Sequence, residues 1–167
     1  PCPCGFRGSS LRTCRCDLGV VSRYLSRLSG PLLDRFDLHI EVPHVEYQTL
    51  LDARRSGVSS ASVRDQVMAA RAMQHERVET FGPFAHSNAT LSPDAVVDVG
   101  KPDAAGEKLL LSYAKKHVLS NRAVHRVLRV ARTVADLSQE RSVGAAHIAE
   151  ALSLRILDRP GSGIGSA

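Results

Sequence analysis

The sequence predicts a mainly α-helical protein with a single β-strand near its start. Of the 167 residues, 43% are hydrophobic, but only 4% are aromatic and none is tryptophan. A core built from Leu, Val, Ile and Ala favours packed helices over an aromatic-rich β-sandwich. Apolar residues also recur three and four positions apart through much of residues 62–156, which is the spacing of amphipathic helices.

The first third of the chain predicts a loop, two short helices and the strand. Residues 1–17 are rich in Cys, Arg and Gly and predict a loop, which an amphipathic segment follows over 20–28. Pro31 favours the start of a second short helix, where its missing N–H costs nothing. Apolar and polar residues alternate from 36 to 42, which predicts a half-buried strand.

The remainder of the chain predicts helices joined by short loops. The sequence Ser62-Val63-Arg64-Asp65 fits a capping box and predicts a helix that ends near Phe81. Another helix is predicted over about 105–118. Three serines are predicted to begin the other helices: Ser92, Ser120 and Ser142. The tail 160–167 is rich in Gly and Ser and is expected to be flexible.

Apolar stripes predict the buried faces of the last two helices. The stripe of the first consists of Val124, Val127, Leu128, Ala131, Val134 and Ala135. The stripe of the second consists of Ala145, Ile148, Ala149, Leu152 and Ile156.

The positive charge is concentrated in one segment. Residues 105–141 carry eight basic and three acidic side chains, which equals the whole net charge of +5. Such a concentration attracts phosphates, although a solvated helix face has the same appearance. No apolar run approaches the roughly 20 residues that cross a bilayer, and the start lacks a signal-peptide pattern. We therefore expect a cytoplasmic protein without a membrane partner.

Four cysteines form a C-x-C…C-x-C pattern at Cys2, Cys4, Cys14 and Cys16. Four thiolates that one short loop brings together can hold Zn²⁺ tetrahedrally, and in a reducing compartment a metal is favoured over disulfides. Paired zinc ligands usually have at least two residues between them, so thiols without a metal remain the alternative.

Two arginine-bearing motifs predict contacts with phosphate. Arg35 ends the predicted helix before the strand, and the planar fork of an arginine suits phosphate oxygens. Arg122 lies in the first turn of the helix that Ser120 begins, where the helix N-terminus already favours anions. The same helix carries a basic stripe, which is a candidate nucleic-acid contact at Arg126, Arg129 and Arg132. Solvated surface charge is the alternative for all of them.

The sequence also lacks the motifs of several enzymes. It contains no G-x-x-x-x-G-K-[ST] phosphate loop, no G-x-S-x-G and no H-E-x-x-H. We therefore expect these residues alone not to bind or hydrolyse ATP appreciably.

In chain order, these motifs resemble the Mg-chelatase-like AAA+ ATPases, in particular the ComM branch of that family. The resemblance covers roughly residues 1–159 and is most specific over 23–43, which contains Leu32-Leu33-Asp34-Arg35-Phe36-Asp37, and over 119–137. Chelatase subunits proper are not expected to carry the cysteines, which favours the ComM branch.

The resemblance implies roles that the residues alone do not. Arg35 would be the arginine finger that reaches ATP in a neighbouring subunit, and Arg122 the sensor-2 arginine of the helical lid. Residues 1–50 would be the last, partial α/β piece of the AAA+ core, and 51–159 the lid. The P-loop and Walker-B strand would precede residue 1 in a longer protein that uses ATP and Mg²⁺.

The implied function is ATP-driven DNA remodelling by a ring, which in this family would be a hexamer, with DNA branch migration during natural transformation as the activity of the ComM branch. One alternative is the motor subunit of a magnesium chelatase. Another, from a different class, is a non-enzymatic helical module with a zinc loop that binds nucleic acid.

Overall fold

The computed structural model describes residues 2–9, 12–40 and 57–155, together with residues 42, 45, 48 and 51. These residues are mainly helical, which confirms the predicted fold class. Two compact units are formed, one from Pro1–Arg55 with Arg155–Ala167 and the other from Ser56–Leu154. Among the described residues, no helix combines the length and the apolar character needed to cross a membrane.

Two short helices of the first unit lie wholly within the described residues, α1 (Leu18–Leu25) and α2 (Gly30–Leu33). The Asp17 carboxylate caps α1 by accepting a hydrogen bond from the Gly19 N–H at 2.8 Å. The core here is small: among the described residues, it consists of Cys2, Val21, Leu25 and Leu33, with Cys14 and Cys16 packed against it.

The predicted strand over 36–42 is not formed by the described residues of that stretch. The backbone makes only an isolated parallel bridge, between His39 and Arg155. Phe36 and Ile40 on the apolar face are 50% and 67% exposed, whereas His39 on the polar face is only 7% exposed. A strand with one bridging residue has no sheet for its apolar face to cover, so the predicted inward face points outward.

The second unit consists of six α-helices and two 3₁₀ turns within the described residues. The helices are α3 (Ser60–Glu76), α4 (Val78–Phe81), α5 (Pro93–Val99), α6 (Ala104–His117), α7 (Asn121–Leu137) and α8 (Ala145–Ser153), and the 3₁₀ turns are Pro83–His86 and Asn88–Thr90. Ser92 and Ser120 cap α5 and α7 as predicted. The predicted capping box at Ser62 is wrong, because Ser59 is the cap and accepts the Ser62 N–H.

Helix α7 lies at the centre of the second unit, where it packs against α3, α5 and α8. Its predicted apolar stripe is confirmed: Val127, Leu128, Ala131 and Ala135 are buried, and Val124 and Val134 are half-buried. Around them, the core is completed by residues from other elements, among them Leu91, Val96, Leu110, Val143, Ile148 and Leu152.

Helix α8 begins later than predicted, and its buried face differs. Gly144, not Ser142, precedes it, and the Gly144 N–H donates to Nδ1 of His147 at 3.0 Å. This capping bond turns the His147 ring inward, and the buried residues are His147, Ile148, Ala151 and Leu152. Of the predicted face, Ala149 is exposed and Ala145 half-buried. Ile156 and the tail 160–167 lie outside the described residues. So does residue 50, which is one side of the predicted boundary between the core piece and the lid.

Candidate functional site

The four cysteines converge at one point of the first unit. Their Sγ atoms all lie within 4.8 Å of one another. The Cys2 sulfur is 3.4 Å from that of Cys4 and 3.6 Å from that of Cys14. Four thiolates bound tetrahedrally to zinc at about 2.3 Å lie about 3.8 Å apart. The loop therefore gathers four unpaired thiols at the spacing of a metal site, and they could hold a metal ion.

The four thiols differ in acidity because each depends on the others. Burial raises the pKa of Cys2, but hydrogen bonds with Cys4, the Arg7 backbone and the other cysteines outweigh it and lower this pKa to about 6. A backbone hydrogen bond with Cys4 lowers the pKa of Cys16, but hydrogen bonds with the other thiols and burial together raise it to about 12. The first thiolates to form are thus stabilised by neighbours that keep their protons. A bound cation would favour the ionisation of all four together.

The cysteine cluster is connected to α2 through the core. Cys2 is only 3% exposed and packs in one cluster with Val21 and Leu25 of α1 and Leu33 of α2. A metal at the cluster would therefore fix the loop against both helices, including the one that precedes Arg35.

Arg35 lies in the turn that ends α2 and is exposed. Its backbone N–H donates to the Leu32 carbonyl, and its Nη1 donates to the Pro31 carbonyl at 2.5 Å. The next carbonyl, of Phe36, accepts a hydrogen bond from Nη1 of Arg155 at 2.8 Å. Arg155 is 1% exposed, and no sequence pattern predicted this buried arginine. It fixes the backbone immediately after Arg35.

Arg122 is exposed in the first turn of α7. Ser120 begins this helix by accepting the Ala123 N–H at 3.1 Å. Within the part of the chain that the structure describes, the Arg122 side chain has no hydrogen bond or ion pair. Its neighbour Asn121 lines a surface cavity of about 540 Å³ between the end of α6 and the start of α7, together with Val118 and His125. A cavity of this size can hold a small molecule.

Val118 makes the turn that directs the chain into α7. It has left-handed backbone angles, φ 50° and ψ 49°, and it is 88% exposed. A β-branched residue in this region is strained, because its Cβ approaches the backbone. We expect Val118→Gly to stabilise the chain by about 1 kcal/mol. Urea unfolding checks this, and an equal gain from Val118→Ala would show that relief of left-handed strain is not the cause.

The basic stripe of α7 is largely part of the protein interior. Arg126 and Arg129 are half-buried, and Nη2 of Arg129 donates to the Leu91 carbonyl at 3.2 Å. Arg132 is 2% exposed and donates to the backbone carbonyls of Glu140 and Arg141. The Arg132 guanidinium is thus held inside the second unit, which argues against the nucleic-acid contact predicted there.

Comparison with known protein families finds a match for each part of the chain. The family model for magnesium chelatase, subunit ChlI, matches residues 1–50, and the model for the C-terminal part of that subunit matches 57–155. The chain belongs to the Mg-chelatase-like AAA+ family. It is 41% identical to competence protein ComM of Haemophilus influenzae over 139 residues and 39% identical to the uncharacterized protein YifB of Escherichia coli over 145 residues.

These relatives place the chain in the ComM/YifB branch of the family. The matches cover 83% and 87% of this chain but only 26% and 28% of the relatives. An uncharacterized protein of Mycobacterium tuberculosis is 35% identical over 93% of the chain, which is 30% of that relative. The chain thus spans less than a third of the length of the curated relatives that it matches.

A buried ionic network lies in the segment that matches the C-terminal chelatase model. Asp136 of α7 has no exposed surface and is the centre of the network. Its carboxylate forms an ion pair with Arg77 and accepts the Arg132 Nε–H at 3.0 Å, and it also accepts hydrogen bonds from Asn88 at 2.8 Å and Gln74 at 3.4 Å. Burial lowers the pKa of Arg132, an effect that the Asp136 charge opposes.

The network explains why α3 ends where it does. The predicted helix to Phe81 is interrupted at Arg77, which lies between α3 and α4 and points its guanidinium at Asp136 and the Asn88 amide oxygen. Sequence reasoning missed this role of Arg77 and of Asn88, since neither shows a local pattern.

Proposed function

We propose that this chain supplies the arginine finger and the helical lid of an ATP-driven Mg-chelatase-like motor. Arg35 reaches the ATP held by a neighbouring subunit, and Arg122 contacts the ATP of its own subunit. The observation that carries the proposal is the exposure of both guanidinium groups at helix ends, Arg35 directly after α2 and Arg122 in the first turn of α7. Family membership supports it.

The chemistry of ATP hydrolysis suits these two positions. Charge develops on the oxygens of the γ-phosphate in the transition state, and an arginine fork stabilises it without taking part in bond making. At Arg122 the backbone N–H groups of the α7 N-terminus add to the attraction for phosphate.

The proposal requires partners for this chain. A finger that acts in trans implies a ring of subunits, and we infer a hexamer from the family resemblance. ATP and Mg²⁺ are held mainly by motifs that these 167 residues lack. The four unpaired thiols fit the reducing conditions of the cytoplasm.

DNA is the proposed substrate of the motor, with branch migration as the activity. The support is the similarity to a relative named as a competence protein and the net charge of +5. A second candidate is the motor of a magnesium chelatase, because both matching family models carry that description. Binding of branched DNA by the full-length protein, as against binding of a chelatase partner subunit, separates the two.

We also propose that the cysteine cluster holds Zn²⁺ as a structural ion. An all-sulfur donor set at tetrahedral spacing suits zinc, whereas Mg²⁺ prefers oxygen ligands. The ion would fix the cysteine loop against α1 and α2 and so give Arg35 a rigid support.

The finger assignment is tested in the full-length protein. We expect Arg35→Ala to lower ATP turnover about 10³-fold while ATP binding is retained, because the finger acts mainly on the transition state. The matched control is Arg64→Ala, which removes an exposed arginine of α3 and should leave turnover unchanged.

A mixing experiment tests the trans geometry. Arg35→Ala and Arg122→Ala are each expected to be impaired alone. In mixed rings, an Arg35→Ala subunit whose neighbour carries Arg122→Ala has both arginines at its own ATP site, so mixing should restore part of the turnover. Failure of the mixture to exceed the two separate variants would contradict the assignment of the two arginines to one shared site.

A further inference from the structure

The cysteine loop and α1 carry a second concentration of positive charge. Residues 1–28 contain five arginines and a single acidic residue, Asp17, which gives them a net charge of +4. There is no lysine among them, and the first lysine of the chain is Lys101. We refer to these five side chains as the arginine surface: Arg7, Arg12, Arg15, Arg23 and Arg27.

All five side chains of the arginine surface are exposed, and none forms an ion pair within the described residues. Asp17, the one acidic residue nearby, is used to cap α1. Two of these arginines lie over aromatic rings: the Cζ atom of Arg12 is 5.2 Å from the ring centre of Phe6, and that of Arg27 is 5.9 Å from the ring centre of Tyr24. Tyr24 is itself 38% exposed.

Two arginines of the basic stripe of α7 differ from these in their contacts. Arg132 is buried in the ionic network, and Arg129 is bound to the Leu91 carbonyl. Bringing such groups to a phosphate would break contacts that hold the second unit together. Among the described residues, the side chains of the arginine surface make the two ring contacts but no ion pair or hydrogen bond that an anion would have to break.

We propose that the arginine surface binds single-stranded nucleic acid. Arginine forks bind phosphate oxygens, and guanidinium–aromatic pairs such as Arg12 with Phe6 offer planar faces on which unpaired bases stack. An anionic membrane matches the charge but offers nothing to stack, so the rings favour nucleic acid. The inference rests on the proposed function only because it takes nucleic acid as the substrate class. What it adds is the surface that contacts the nucleic acid.

The test measures binding of a fluorescently labelled 30-nucleotide single strand to the zinc-loaded 167-residue chain between 50 and 200 mM salt. Neutralising five phosphates should give a slope of log K against log salt of about −3.5, and hence about 100-fold weaker binding over that range. In the variant Arg7→Ala/Arg12→Ala/Arg15→Ala, two contacts remain, and the slope should fall to about −1.4.

The matched control removes three exposed charges of the second unit, in the variant Arg64→Ala/Lys101→Ala/Lys108→Ala. It should keep the slope of the parent chain, and circular dichroism should show both triple variants folded. An equal loss in both variants, or no loss in the first, overturns the proposal. Equally tight binding to vesicles that contain phosphatidylserine, with displacement of the oligonucleotide, also overturns it and indicates a membrane surface.

Failure of this inference can be told from failure of the proposed function. The binding assay contains no ATP, whereas the subunit-mixing experiment measures turnover. A null result here with successful mixing would leave the motor assignment intact and move the nucleic-acid contact elsewhere.

Discussion

Removal of a bound metal should unfold the first unit of this chain while the second unit remains folded. The reason is the difference between their hydrophobic cores: among the described residues, the apolar cluster of the first unit has four buried members and that of the second has twelve. A core of four cannot offset the entropy of ordering the loop and two short helices, and small domains of this kind depend on a metal or disulfides.

The measurement is amide exchange with and without a zinc chelator, after elemental analysis of the purified chain. We expect close to one zinc per chain, and on chelation at least about 100-fold loss of protection at Val21 and Leu25, which lie in the small core. Val127 in the core of the second unit should keep its protection, and Cys14→Ser should reproduce the effect of the chelator. A metal-free chain with equal protection in both units would rule out a structural ion.

The helices of the second unit could be predicted because their determinants are local. Serine caps at Ser92 and Ser120 and the apolar stripe of α7 all lie within one or two turns of the residues that they organise. The cysteine cluster could also be predicted, since one short loop contains all four thiols.

The errors arise where the determinant is distant in sequence or absent. The strand over 36–42 needs neighbouring strands, and the described residues supply one bridge at His39. Arg132 and Asp136 are four residues apart on α7, and oppositely charged pairs at this spacing occur both on solvated helix faces and in buried networks. The spacing alone therefore could not show that this pair is buried. The buried network is completed by Arg77 and Asn88, which lie 59 and 48 positions before Asp136 in the sequence.

Replacing Asp136 with alanine should cost roughly 3–5 kcal/mol of the free energy of unfolding of the second unit. The carboxylate is the shared counter-ion of Arg77 and Arg132, and it also accepts the Asn88 amide. Its removal leaves two guanidinium groups beside each other without a counter-ion, with the Arg77 side chain only 16% exposed and that of Arg132 only 3% exposed. Since a domain of about 100 residues has roughly 5–15 kcal/mol of stability, this loss would be a large fraction of the margin.

Urea denaturation followed by circular dichroism measures this cost. Asp98→Ala is the matched control, because it removes the same charge from an exposed position of α5 and should change stability by less than about 0.5 kcal/mol. A double-mutant cycle separates the ion pair from loss of packing. If Arg132 is held mainly by Asp136, then Arg132→Ala should cost markedly less in the Asp136→Ala background than in the parent chain. Additive costs would show instead that the backbone carbonyls of Glu140 and Arg141 suffice to satisfy the buried arginine.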